Sequence, residues 1–123
     1  MEKTKVCVSG LGGISQVVHL PILSKMADVE IAGVCDSDKV KAKSIAGKYN
    51  VKNFYTNYDK MIDESGAECV FIATPTNYHK VQTLKALESR LHVFVEKPLA
   101  INAAQTDEIV LSAKKITAGL WWE

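Results

Sequence analysis

Gly10-Leu11-Gly12-Gly13-Ile14-Ser15 lies between a short apolar run and a helical pattern. Glycine at the first position permits a tight turn, and glycine at the second lets backbone approach a pyrophosphate. A helix starting there offers unbonded N–H groups and a partial positive charge. Gly10 and Gly12 are therefore candidate pyrophosphate contacts. Ser15 takes the third position, where Gly or Ala is preferred for close helix–strand packing, so the match is imperfect. Glycine turns between strand and helix are common without any ligand, and the pairing with Asp36 carries more weight. Asp36 ends a second apolar run, 26 positions after Gly10, near the offset of about 20 at which an acid accepts from the adenosine ribose. A carboxylate there repels a 2′-phosphate, and Ser37 and Asp38 follow with no arginine to receive one. The expected cofactor is NAD rather than NADP. The plain alternative is that Asp36 starts a turn and Asp38 caps a helix.

The elements that must position these residues alternate regularly. Lys5 to Ser9 reads as a strand, followed by a helix with Ile14, Val17, Val18 and Ile22 at helical spacing. Val29 to Cys35 is a second strand. Asp38 caps a helix that buries Ala42, Ile45, Ala46 and Tyr49. A short strand near Asn53 to Tyr55 precedes a brief helix carrying Met61 and Ile62. Cys69 to Ala73 is nearly all apolar, as a strand covered on both faces should be. Val81, Leu84, Leu87 and Leu91 then mark one side of a helix, and His92 to Val95 forms the next strand. Asn102, with Gln105 three residues on, resembles a capping box for a last helix that turns Thr106, Ile109, Val110 and Ala113 inward. Strand–helix alternation with short connections implies parallel strands and right-handed crossovers. The expected fold is a doubly wound α/β sheet of the Rossmann type, one domain over residues 1–123. Five strands are clear, and only Gly119 to Glu123 remains to supply a sixth. Trp121 and Trp122 would point to opposite sides of it and need cover on both.

In such a sheet, ligands lie outside the carboxyl ends of the strands. Thr74-Pro75-Thr76-Asn77-Tyr78-His79 and Glu96-Lys97-Pro98-Leu99 both fall there. Together with the glycine turn, these stretches resemble the glucose–fructose oxidoreductase/inositol dehydrogenase (Gfo/Idh/MocA) family, whose N-terminal domains carry G-x-G-x-I, T-P-x-x-x-H and E-K-P. The resemblance spans about residues 4 to 116, with all three motifs in order. It implies a nicotinamide-dependent oxidoreductase acting by hydride transfer on a sugar, polyol or related hydroxy compound. It also implies that Gly10 to Ile14 hold the pyrophosphate and Asp36 the ribose. Thr74, Pro75 and His79 would line the nicotinamide side, Glu96 would contact the cofactor, and Lys97 would touch both nicotinamide ribose and substrate hydroxyl. An ammonium suits an oxygen gaining negative charge as hydride leaves. The resemblance further raises the expectation of a cis Lys97–Pro98 bond.

Each residue has a plainer role to set beside this. His79 in the first turn of a helix is as readily a solvated polar residue, and Lys97 a surface lysine. His19 and His92 read as structural, and Tyr49, Tyr55 and Tyr58 as packing under short loops. Members of the family carry a second, larger domain holding most substrate contacts, which these residues do not encode. The chain is therefore expected to bind NAD but turn over little alone, and to expose apolar area near the tryptophan pair, favouring a homo-oligomer. A dinucleotide-sensing module or subunit without its own catalysis is the alternative from another class; Lys97 favours the oxidoreductase. A methyl-donor site on a similar turn would leave Lys97-Pro98 unexplained.

Composition sets the outer bounds. Fifteen Lys and Arg against fourteen Asp and Glu leave a formal charge of +1, which argues against a basic nucleic-acid face or a polybasic membrane anchor. With 47% apolar and 24% charged residues in 123, the chain can hold a core without disulfides or metal. No stretch approaches the roughly 20 apolar residues of a membrane span, and the apolar run after Lys5 is too short for a signal-peptide core. Cys7, Cys35 and Cys69 each sit in apolar runs as small buried hydrophobes, with no C-x-x-C and no zinc spacing. A reducing compartment, the cytoplasm, is expected.

Overall fold

The computed structural model describes residues 3–97, 100, 102–115 and 120–122, with side chains described up to residue 112. Strands β1 (Thr4–Ser9), β2 (Val29–Cys35), β3 (Phe54–Tyr55), β4 (Cys69–Ile72), β5 (His92–Val95) and β6 (Leu120–Trp122) form one sheet in the order β3-β2-β1-β4-β5-β6. Every pairing is parallel. The doubly wound Rossmann sheet expected from the alternation is thus present, and the residues before Glu123 do supply a sixth strand, with Val93 opposite Leu120 and Val95 opposite Trp122. The side chains of Trp121 and Trp122 lie outside the described residues, as do Pro98 and the side chain of Ala113.

Alternation along the strands divides the core in two. On one face Val6 and Val8 of β1 and Val34 of β2 pack with Leu20 and Leu23 of α1 (Leu20–Lys25) and Ala42, Ile45 and Ala46 of α2 (Lys39–Lys48). On the other, Cys7, Val70, Ile72, Val93 and Val95 pack with residues of three helices. These are α3 (Tyr58–Glu64), α4 (Thr76–Glu88) and α5 (Ala103–Lys115). Covering both faces explains why the central strands are apolar at successive positions. Asp38, Asn57 and Asn102 cap α2, α3 and α5 by accepting the N–H groups of Lys41, Lys60 and Gln105.

Two helices differ from their apolar spacing. Before α1 runs a π turn, Ser15–His19, in which the Leu20 N–H donates to the Ser15 carbonyl. This wider turn changes the frame, so the inward residues are Ser15, His19, Leu20 and Leu23. Ile14, Val17 and Ile22 instead face solvent, Val17 at 75% exposure. On α4 the buried residues are His79, Thr83, Ala86 and Leu87, while Val81 is exposed. Tyr55 and Tyr58 pack against one core and Tyr49 against the other, as their positions under loops suggested.

The sheet changes direction of build between β1 and β4, and hydrogen bonds extend its ladder past the strand ends. Gly10 N–H donates to Cys35 O, Asp36 N–H to Tyr55 O, Ala73 N–H to Ser9 O and Glu96 N–H to Ile72 O. The glycine turn and the residues that follow β2, β4 and β5 are thereby fixed along one carboxyl edge.

Candidate functional site at the carboxyl edge of the sheet

The first turn is glycine-rich for two separable reasons. Gly10 has φ +89°, and a Cβ there would meet Ala73 O at 2.7 Å and Thr74 N at 2.8 Å. The chain itself therefore demands this glycine, because β1 and β4 end in close backbone contact. Gly12 and Gly13 are different: a Cβ on either would meet nothing within 4 Å. The space beside them is open, as it must be if a ligand is to approach the backbone. Ser15 is fully buried, and its Oγ donates to Gly10 O at 2.5 Å. The residue that departs from the fingerprint thus clamps the turn it follows.

Asp36 ties β2 to that turn. Its Oδ2 accepts the Leu11 N–H and its Oδ1 the Asp38 N–H, both at 2.9 Å. Each oxygen keeps a lone pair for a further donor, and the side chain is part-exposed.

Beyond β4, a network anchored on Gln82 shapes the opposite wall. Ser9 Oγ and Thr74 Oγ1 donate to Gln82 Oε1 at 2.9 and 3.1 Å, and Tyr58 Oη donates to the Gln82 carbonyl at 2.6 Å. Burial pushes the Tyr58 hydroxyl well above the usual tyrosine range, so it stays a donor. His79 is 2% exposed, with Nε2 at 2.6 Å from Thr74 O. A carbonyl only accepts, so Nε2 carries the proton. The solvated histidine expected as one reading is excluded; His79 lies behind Thr74.

These parts enclose a cavity of about 730 Å³. Gly10, Gly12, Asp36, Thr74 and Pro75 are on its wall, joined by Ser37, Lys41, Tyr58, Tyr78 and Gln82. Cys35 also lines it, but burial, with the Asp36 charge adding, pushes its thiol up to about 11, which removes it as a nucleophile at neutral pH. Gly13 and Ile14 are exposed beside the wall. Glu96 and Lys97 are farther along the carboxyl edge, after β5, with Lys97 exposed.

Glu96 has a partner that the sequence did not suggest. Its Oε1 is 2.6 Å from His19 Nε2, and the His19 ring lies 5.6 Å from Phe71 and 5.7 Å from Phe94. His19, Gln82 and Lys41 were not foreseen. The available signal for His19 was its place four residues after Ser15, which puts two polar side chains on one helical face.

Known proteins carry the same architecture. Residues 4–121 match the family model of the Gfo/Idh/MocA oxidoreductases, described as an NAD-binding Rossmann fold. The chain is 30% identical over 112 residues to D-glucoside 3-dehydrogenase of Escherichia coli K12, covering 91% of this chain and 32% of that enzyme. It superposes with TM-score 0.93 on myo-inositol 2-dehydrogenase from Lactobacillus plantarum, 27% identical, over 99% of this chain and 36% of that one. TM-score and identity are the same for the WlbA dehydrogenase of Chromobacterium violaceum in complex with NADH and UDP-GlcNAcA, over 100% and 35%. The chain thus spans about a third of the length of the curated relatives it matches. Its sheet order, its glycine turn and a match over nearly all its residues lead to one assignment: this chain belongs to the Gfo/Idh/MocA oxidoreductase family, as an NAD-binding Rossmann domain.

Proposed function

We propose that this chain holds a nicotinamide dinucleotide along the carboxyl edge of its sheet, NAD in preference to NADP, as the cofactor half of an oxidoreductase acting on a sugar or polyol. The observation carrying this reading is the open space at Gly12 and Gly13 beside the Asp36 carboxylate. A structural turn needs only Gly10; two further glycines that the chain itself does not need leave room for a pyrophosphate. In this reading Gly10 to Ile14 carry the pyrophosphate, and the free lone pairs of Asp36 accept from the adenosine ribose.

Bound NAD supplies hydride acceptance or donation at its nicotinamide ring. Thr74 and Pro75 flank that half, and His79 acts by fixing the Thr74 carbonyl from behind. Glu96 contacts the nicotinamide ribose. Lys97, exposed after β5, donates to the substrate oxygen as it gains negative charge. Substrate orientation and proton transfer add large factors to rate. Since the matched relatives are about three times as long, those groups are expected outside these residues. The 123 residues alone are expected to bind cofactor without measurable turnover of inositols or glucosides.

Lys41 and Asp36 are the cation and the anion on the described cavity wall, so selectivity rests on their balance. Calorimetric titration with NADH and NADPH is expected to favour NADH. Asp36→Ala, leaving Lys41 unopposed, is expected to shift the ratio of the two affinities toward NADPH by about tenfold or more. An unchanged ratio in the variant would remove Asp36 from the ribose site, and binding of neither nucleotide by the wild-type chain would remove the cofactor reading.

A further inference from the structure

We infer that His19 is a positioning residue for the nicotinamide end of the site, acting through Glu96. The inference rests on the dinucleotide reading above and adds to it a residue in a helix interior, outside every motif that suggested the site.

His19 and Glu96 are 77 positions apart in sequence, yet Nε2 and Oε1 are 2.6 Å apart. A carboxylate only accepts, so the Nε2–H donates, in a charge-assisted bond of the short, strong kind. The imidazole is buried to 9% exposure while the Glu96 side chain keeps 26%. One partner is an interior anchor and the other reaches toward solvent at the carboxyl edge. The ring has little freedom, because Phe71 of β4 and Phe94 of β5 stack on each other at 5.2 Å and both contact it. An anchor held this way fixes the carboxylate in direction as well as position.

The same helical unit holds a second point. Ser15 opens the π turn and bonds Gly10 O, and His19 closes that turn and bonds Glu96. Two buried polar side chains on one rigid turn therefore tie the glycine turn to the end of β5. In the dinucleotide reading these are the pyrophosphate contact and the nicotinamide-ribose contact. The π turn carries both residues inward while the apolar Ile14 and Val17 face out, and such turns recur at functional sites. Lys97 follows Glu96 directly, so fixing one restrains the other.

The test compares NADH with ADP, which keeps the adenosine and pyrophosphate but lacks the nicotinamide and its ribose, by calorimetry on the full chain. His19→Phe fills the aromatic slot without a donor, and His19→Gln restores an N–H. His19→Phe is expected to weaken NADH by about tenfold and ADP by no more than about twofold. His19→Gln is expected to recover most of the NADH affinity. Glu96→Ala must give the same NADH-selective loss, and adding His19→Phe to it must cost no more, since the two act as a unit. Equal losses for both ligands would assign His19 a purely structural role, and an unchanged NADH affinity would overturn the inference outright. If His19→Phe does not fold, the Glu96→Ala comparison decides alone, because a loss spread over both ligands there removes the selective contact. A wild-type chain that binds neither ligand would instead defeat the cofactor reading, and this inference with it.

Discussion

Glycine at two sites of one turn answers to different forces, and substitution separates them. Gly10→Ala puts a methyl 2.7 Å from Ala73 O on a backbone at φ +89°, and is expected to lower stability by about 2–3 kcal/mol in urea unfolding. Gly12→Val enters open space, and is expected to change stability by less than about 1 kcal/mol while abolishing NADH binding. Both glycines were legible as a fingerprint, but the contact that makes Gly10 obligatory was not, since Ala73 is remote in sequence. Asp36 was legible from its offset; its bonds to Leu11 and Asp38 could be known only from the fold. His19 was legible only as a structural residue, because a partner 77 positions away leaves no local trace.

At the scale of elements, periodicity located helices better than it oriented them. The spacing of Ile14, Val17, Val18 and Ile22 assumes about 3.6 residues per turn, and the π turn at Ser15–His19 breaks that assumption. Val17→Ser, at an exposed site, is expected to shift stability by less than about 0.5 kcal/mol. Leu20→Ala, at a site with no exposure, is expected to cost about 2–5 kcal/mol. The reverse ranking would show that the first helix turns its other face inward. On α4 and just after it the pattern held at Leu84, Leu87 and Leu91, which are buried or pack on the core. It missed at Val81, because His79 and Thr83 take buried positions that an apolar count passes over. Caps were readable directly, because Asp38 and Asn102 satisfy backbone donors within three residues of themselves.

For the molecule as a whole, strand–helix alternation was enough to give the parallel sheet, and the candidate site lies at the carboxyl edge, where ligands bind in sheets of this strand order. The three free thiols show how fully that sheet is covered. Burial pushes Cys35 and Cys69 up to about 11 from an ordinary 9.0, and raises Cys7 and Tyr58 further. Near pH 10 the unfolded chain has lost these thiol protons while the folded chain retains them. The folded state thus binds more protons, and stability falls as pH rises. Urea midpoints are expected to hold up to about pH 8 and to decline from about pH 9 to 11; a midpoint that rises over that range would contradict the buried thiols. The central claim is that one edge of this sheet receives a dinucleotide, and backbone amide NMR of the chain titrated with NADH tests it most directly. The account predicts shifts concentrated at Gly10 to Ile14, Asp36, Ser37, Thr74 and Glu96, along one carboxyl edge. Shifts scattered over the helices, or none at saturating NADH, would contradict it.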